Sequence, residues 1–99
     1  MTKKTYIDAQ QLLTDSFELG LKVLESDFTP DYIVGVWRGG APVGIAIQEL
    51  LKYFGVDTDH IAIRTSAYTG VNEMSDVVKV HGLHYLIENV NAGDHVLIV

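Results

Sequence analysis

The sequence predicts an α/β domain, a parallel sheet with flanking helices. Three observations carry this. An apolar stripe of helical period is followed by a short apolar run rich in strand formers. That run passes through a glycine turn straight into a second helical stripe. A further strand-like segment then completes a strand-helix-strand unit, the usual builder of parallel sheets.

From Asp8 to about Asp27, the residues Leu13, Phe17, Leu21, Leu24 and Phe28 recur at three- and four-residue spacing, and Asp8 with Gln11 has the form of a capping box. Thr29-Pro30-Asp31 ends that helix. Tyr32 to Trp37 reads as a strand buried on both faces. Arg38-Gly39-Gly40 is a turn, after which Pro42 suits the first helical position. Val43, Ala46, Ile47, Leu50, Leu51 and Phe54 form the second stripe, stopped by Gly55. His60 to Arg64 reads as the next strand. Thr65 to Asp76 is polar and lacks either period, so it is expected to be a mobile loop. Val77 to His81 has strand character, Leu83 to Val90 is a short helical or irregular piece, and Asn91 to Asp94 is a turn. Val96 to Val99 is a strand with nothing after it in the sequence to cover its faces. Both long helices are expected to pack on the sheet, with Leu13, Phe17, Ile33, Val34, Ile47, Leu50, Ile63 and Leu97 in the core.

The 99 residues are 47% hydrophobic, enough for one compact core and one domain. A net charge of −6 argues against a grip on the phosphate backbone of nucleic acid. With no cysteine, disulfides and thiolate chemistry are excluded. Neither a secretory signal nor an apolar stretch of membrane-spanning length is visible, and the cytoplasm is the expected address.

The strand-turn-helix at Trp37 to Pro42 has a clear chemical use. Glycines let backbone amides approach a ligand, the helix start adds unpaired N–H groups, and Arg38 supplies a forked cation suited to phosphate oxygens. The same glycines also serve a plain tight connection, and both readings are open on pattern alone.

A resemblance favours the first. Ile33 to Gly44, with its Arg38-Gly39-Gly40 turn, resembles the first conserved block of type I phosphoribosyltransferases of the hypoxanthine and xanthine-guanine kind, in which such a turn binds pyrophosphate. Arg64-Thr65-Ser66-Ala67-Tyr68 resembles the family's strand and flexible loop, although its Ser and Tyr are not adjacent here. Gly93 to Val99 resembles the lead-in to the phosphoribosyl-binding motif.

The resemblance implies a Rossmann-like core. It also implies transfer of phosphoribose from phosphoribosyl pyrophosphate to a purine base, with Mg²⁺, in a homo-oligomer (dimer or tetramer). It assigns pyrophosphate to Arg38, Gly39, Gly40 and Ala41, and a closing loop to Ser66 and Tyr68. The family's two acidic residues and phosphate loop would follow Val99, so the chain is expected to be the amino-terminal part of such an enzyme, inactive alone. A positioned leaving group and backbone donors suffice for such chemistry, and no catalytic nucleophile is assigned. A non-catalytic domain of the same fold that senses phosphoribosyl pyrophosphate or a nucleotide is the alternative.

Of the other candidates, His60, His81, His84 and His95 read as surface or hydrogen-bonded histidines, and Asp57 with Asp59 as turn residues. Trp37 at the strand end reads either as a stacking surface for a ligand or as a packing residue over the sheet edge, packing being slightly favoured.

Overall fold

The computed structural model describes residues 4–70 and 73–99, with side chains outside 67–77. Helix α1 (Ala9–Glu25) leads into β1 (Tyr32–Trp37), α2 (Gly40–Tyr53) and β2 (Asp59–Gly70). Then follow β3 (Glu73–His81), the short α3 (His84–Asn89) and β4 (Val96–Ile98). The strand order is β3-β2-β1-β4, with β1 parallel to both β2 and β4. The fold is therefore α/β with helices flanking a sheet, as the sequence predicts, but the sheet is mixed. β3 runs antiparallel to β2, pairing Arg64 with His81 and Gly70 with Glu73. The two positions between these strands are far too few for a parallel crossover, which needs a dozen or more residues.

This hairpin corrects the expected loop at Thr65 to Asp76. Most of that segment is strand, with a register shift between Ala67 and Thr69. At the hairpin's described positions the side chains are largely outside the core: Thr65 is exposed and Val78 is 61% exposed.

One face of β1 meets α2. Ile33, Ile47 and Leu51 are fully buried together, with Leu24, Val43, Val56, Leu97 and Val99 packed around them. Helix α2 ends as its sequence predicts. Gly55 takes φ +87°, its N–H donates to Lys52 O, and Val56 N–H donates to Leu51 O at 2.8 Å, the paired bonds of a glycine-terminated helix. Its start differs, since the helix begins at Gly40 and Pro42 falls within the first turn.

Helix α1 is capped by Asp8, whose Oδ1 accepts the Gln11 N–H at 2.7 Å. It lies against α2 and not directly on the strands. The buried line along it is Ser16 and Gly20, so Leu13 is 43% exposed and not in the core. The reason is close approach: a Cβ on Gly20 would stand 2.6 Å from Leu50 Cδ2. Small residues face the neighbouring helix; of the apolar stripe, Leu13 and Leu21 are exposed, while Leu24 still packs against the core.

The opposite face of the sheet carries Tyr32, Val34 and the partners of Val34, Ile61 and Ile98. There α3 is tethered by hydroxyl groups. Tyr32 donates to Asn89 O at 3.1 Å, and Tyr85 donates to Asp59. Asp59 thus opens β2 and anchors α3 and is no turn residue. Among the described residues no helix is long and apolar enough to cross a membrane.

Candidate functional site

The connection from β1 to α2 passes through Arg38 and Gly39, after a cis Trp37–Arg38 peptide. The Ala41 N–H closes the turn on Arg38 O at 3.2 Å. From β1, the chain crosses to β2 on one side, while β4 pairs on the other. The turn therefore stands at the carboxyl end of the strand where the sheet's order reverses, the crevice in which open α/β sheets bind ligands.

The two glycines serve different ends. At Gly39, the residue before the first helical turn, an added Cβ would meet nothing within 4 Å, so the approach to the helix start is open. No side chain caps this end, and its first turn holds no acidic residue. With the Ala41 N–H turned onto Arg38 O and no N–H at Pro42, the Gly39 and Gly40 N–H groups and the positive end of α2 face an outside acceptor. At Gly40, a Cβ would collide with the Val99 carbonyl oxygen, which already accepts the Val36 N–H at 2.7 Å. Gly40 lets β4 close against the turn. Arg38 is exposed beside both glycines.

Beneath the turn lies His60, on β2 opposite Ile33. Its Nε2 is buried with no hydrogen-bond partner. The ring fills the notch left by two glycines, Nε2 standing 3.0 Å from a Cβ position on Gly35 and 2.6 Å from one on Gly44. Burial pushes its pKa below the ordinary histidine value, against a smaller upward pull from Asp59. Its buried, unpartnered Nε2 departs from the sequence reading of a surface or hydrogen-bonded histidine.

Next to the turn is an open cavity of about 340 Å³, lined by Trp37, Ala62, Ile63, Arg64, His81 and Gly82. Trp37 pairs with Arg64, and Arg64 with His81, so the three occupy one row across three strands. Trp37 is 51% exposed and lines this cavity, where the sequence suggested packing. Ser66 lies two residues further along β2, with Oγ 3.5 Å from His81 Nε2. The backbone of Tyr68 lies in β2, and its side chain falls outside the described residues.

The structure therefore brings Arg38, Gly39, Gly40 and Ala41 together at one helix start and sets Ser66 on the adjoining strand. Sequence reasoning missed His60, Arg64 and His81 as site neighbours. For His60 the available signal was alternation: His60, Ala62 and Arg64 share one face, which a strand reading of 60 to 64 already implies. Among the described residues no three His, Asp or Glu side chains gather as a metal site.

No family model matches the chain, and no curated protein matches it. Solved structures do. A hypothetical protein from Neisseria gonorrhoeae with bound ppGpp matches 99% of this chain with TM-score 0.77 and 19% identity. Purine phosphoribosyltransferase from Pyrococcus horikoshii matches 99% with TM-score 0.65 and 27% identity. Hypoxanthine-guanine phosphoribosyl transferase from L. donovani matches 99% with TM-score 0.59 and 20% identity. The chain spans about half of each, 54 to 57% of their lengths. The chain shares the fold of the purine phosphoribosyltransferases.

Proposed function

We propose that this α/β unit serves phosphoribosyl transfer to a purine base, with the Arg38 to Ala41 turn holding the pyrophosphate of phosphoribosyl pyrophosphate. The observation that carries the reading is the uncapped start of α2, open at Gly39 and flanked by Arg38, at the reversal point of the sheet. The match to the Pyrococcus horikoshii enzyme over 99% of the chain supports it.

In this reading the turn stabilises charge on the departing pyrophosphate. Backbone N–H groups fixed before reaction need no reorganisation as charge develops, and the Arg38 fork adds a mobile cation. Mg²⁺, bound with the substrate by groups other than those described, would add charge neutralisation. Ser66 and Tyr68 are proposed to close over the site, and a homo-oligomer in the cytoplasm is the setting.

A second reading is nucleotide sensing without catalysis, which the ppGpp-bound neighbour favours with TM-score 0.77. Pyrophosphate titration followed by amide chemical shifts tests the site common to both. Shifts should centre on residues 38 to 41, and Arg38→Ala should weaken affinity about tenfold. Shifts confined elsewhere would remove the assignment. Turnover with phosphoribosyl pyrophosphate and hypoxanthine, guanine or xanthine then separates enzyme from sensor. In any length of the protein that turns over, Arg38→Ala should cost about 10²-fold.

A further inference from the structure

The His60 ring lies directly under the start of α2, and glycines make its room. A Cβ on Gly35 would lie 3.0 Å from His60 Nε2, 3.1 Å from Gly40 O and 3.3 Å from Ala41 Cα, and one on Gly44 would lie 2.6 Å from the same nitrogen. The ring therefore faces the first turn of the helix across the space of a single methyl group. Its Nε2 is buried and unpartnered, and Gly40 O borders the same gap. A protonated ring, a donor at both nitrogens, would meet a carbonyl there.

Few charged groups surround it. On β2, Asp59 precedes the ring and is held by Tyr85, and Arg64 follows on the same face beyond Ala62. β1 offers Ile33 and Gly35, neither of which titrates. On α2 the near groups are Gly40, Gly44 and Gln48, whose Nε2 donates to Thr58 O at 2.9 Å, while Glu49 and Lys52 are exposed. β3 contributes His81 opposite Arg64, and Arg38 is exposed at the turn. Burial favours the neutral ring, with Asp59 pulling the other way. An anion on the turn changes that balance. It places opposite charge on the far side of one helical turn, with protein and not water between, where screening is weak. Binding of the anion and of a proton at His60 then favour each other by one common factor.

We propose that His60 is a proton-operated support of the anion turn: protonated, it sets a positive charge beneath the Gly39 and Gly40 amides and strengthens anion binding there, and neutral, it does not. The coupling rests on the reading of the Arg38 turn as an anion site.

Sulfate is the probe, because it keeps its charge between pH 7.5 and 5.5 whereas pyrophosphate takes up protons. Amide shifts of residues 38 to 41 in the full chain should report binding about three- to tenfold tighter at pH 5.5 than at pH 7.5. Saturating sulfate should in turn raise the His60 titration midpoint, followed by its ring resonances, by about one unit, a measurement that needs no variant. His60→Gln, which cannot take the proton, should lose the pH dependence, and His81→Gln should keep it. Equal sulfate affinity at the two pH values, an unmoved His60 midpoint, or a dependence that survives His60→Gln overturns the coupling and leaves the anion site standing. If sulfate moves no amide between residues 38 and 41, the anion reading and the coupling fall together.

Discussion

Gly44→Ala probes the packing beneath the proposed anion turn. Gly44 lies inside α2, where alanine in place of glycine ordinarily stabilises a helix by about 1 kcal/mol. Here the new methyl would lie 2.6 Å from His60 Nε2 and 2.9 Å from Cε1, both in a ring wedged between β1 and α2. Overpacking of this kind costs about 1 to 3 kcal/mol. In the native background the net effect should therefore be a loss of up to about 2 kcal/mol.

In a His60→Ala background the obstruction is gone, no hydrogen bond is lost at the orphaned nitrogen, and the methyl fills vacated space. Gly44→Ala should then stabilise by about 1 kcal/mol. The sign of one substitution thus reverses with the identity of residue 60. Equilibrium unfolding of the wild type, both single variants and the double variant at pH 7.5 measures it as a double-mutant cycle. Equal effects of Gly44→Ala in the two backgrounds would refute the wedge.

Two further expectations use the same measurements. The pKa of His60 is lowered in the fold, so the unfolded chain binds the proton more readily. Its contribution should be constant above about pH 6.5, the ordinary histidine value, and fall as pH drops below that toward the depressed native value. The wild type should accordingly lose more stability than His60→Ala between pH 7.5 and 5.5, and parallel curves would exclude this role. Ile47→Ala, which empties a fully buried position between α2 and β1, should cost about 2 to 5 kcal/mol in the same unfolding assay.

The parts of the fold legible in the sequence were those where burial imposes a period or glycine a geometry. Tyr32 to Trp37 was legible as a core strand because Ile33 and Val34 are buried on opposite faces. The end of α2 was legible because Gly55 takes the left-handed conformation there. The orientation of α1 was not, since a contact made by Ser16 and Gly20 leaves no hydrophobic mark, and Leu13 and Leu21 of the visible stripe are exposed. The β2–β3 hairpin was invisible because its pairing runs through backbone, while its described side chains Thr65, Val78, Lys79 and Val80 are exposed and leave no apolar period.

At the site, Arg38, Gly39 and Gly40 could be read because their chemistry is local. The neighbours Arg64 and His81 could not. Their place beside Trp37 depends on strand register, and the pairing of Arg64 with His81 belongs to the hairpin that the sequence did not show.

The molecule is a slab only 19 Å through its shortest dimension, with α1 and α2 to one side of the sheet and the short α3 on the other, where Ile98 is 66% and Ile87 71% exposed. Its accessible surface of 7572 Å² compares with about 5,600 Å² for an ordinary folded chain of 10.9 kDa. Measured against the roughly 15,800 Å² of an extended chain of this mass, folding hides only about four-fifths of the usual area. Heat capacity and denaturant sensitivity both scale with that area. A chain of this length would ordinarily show an unfolding heat-capacity change of about 1.2 to 1.5 kcal/mol/K, and here it should approach 1.0 to 1.2. The stability curve is correspondingly shallow, and transitions in urea should be broad for a protein of this size.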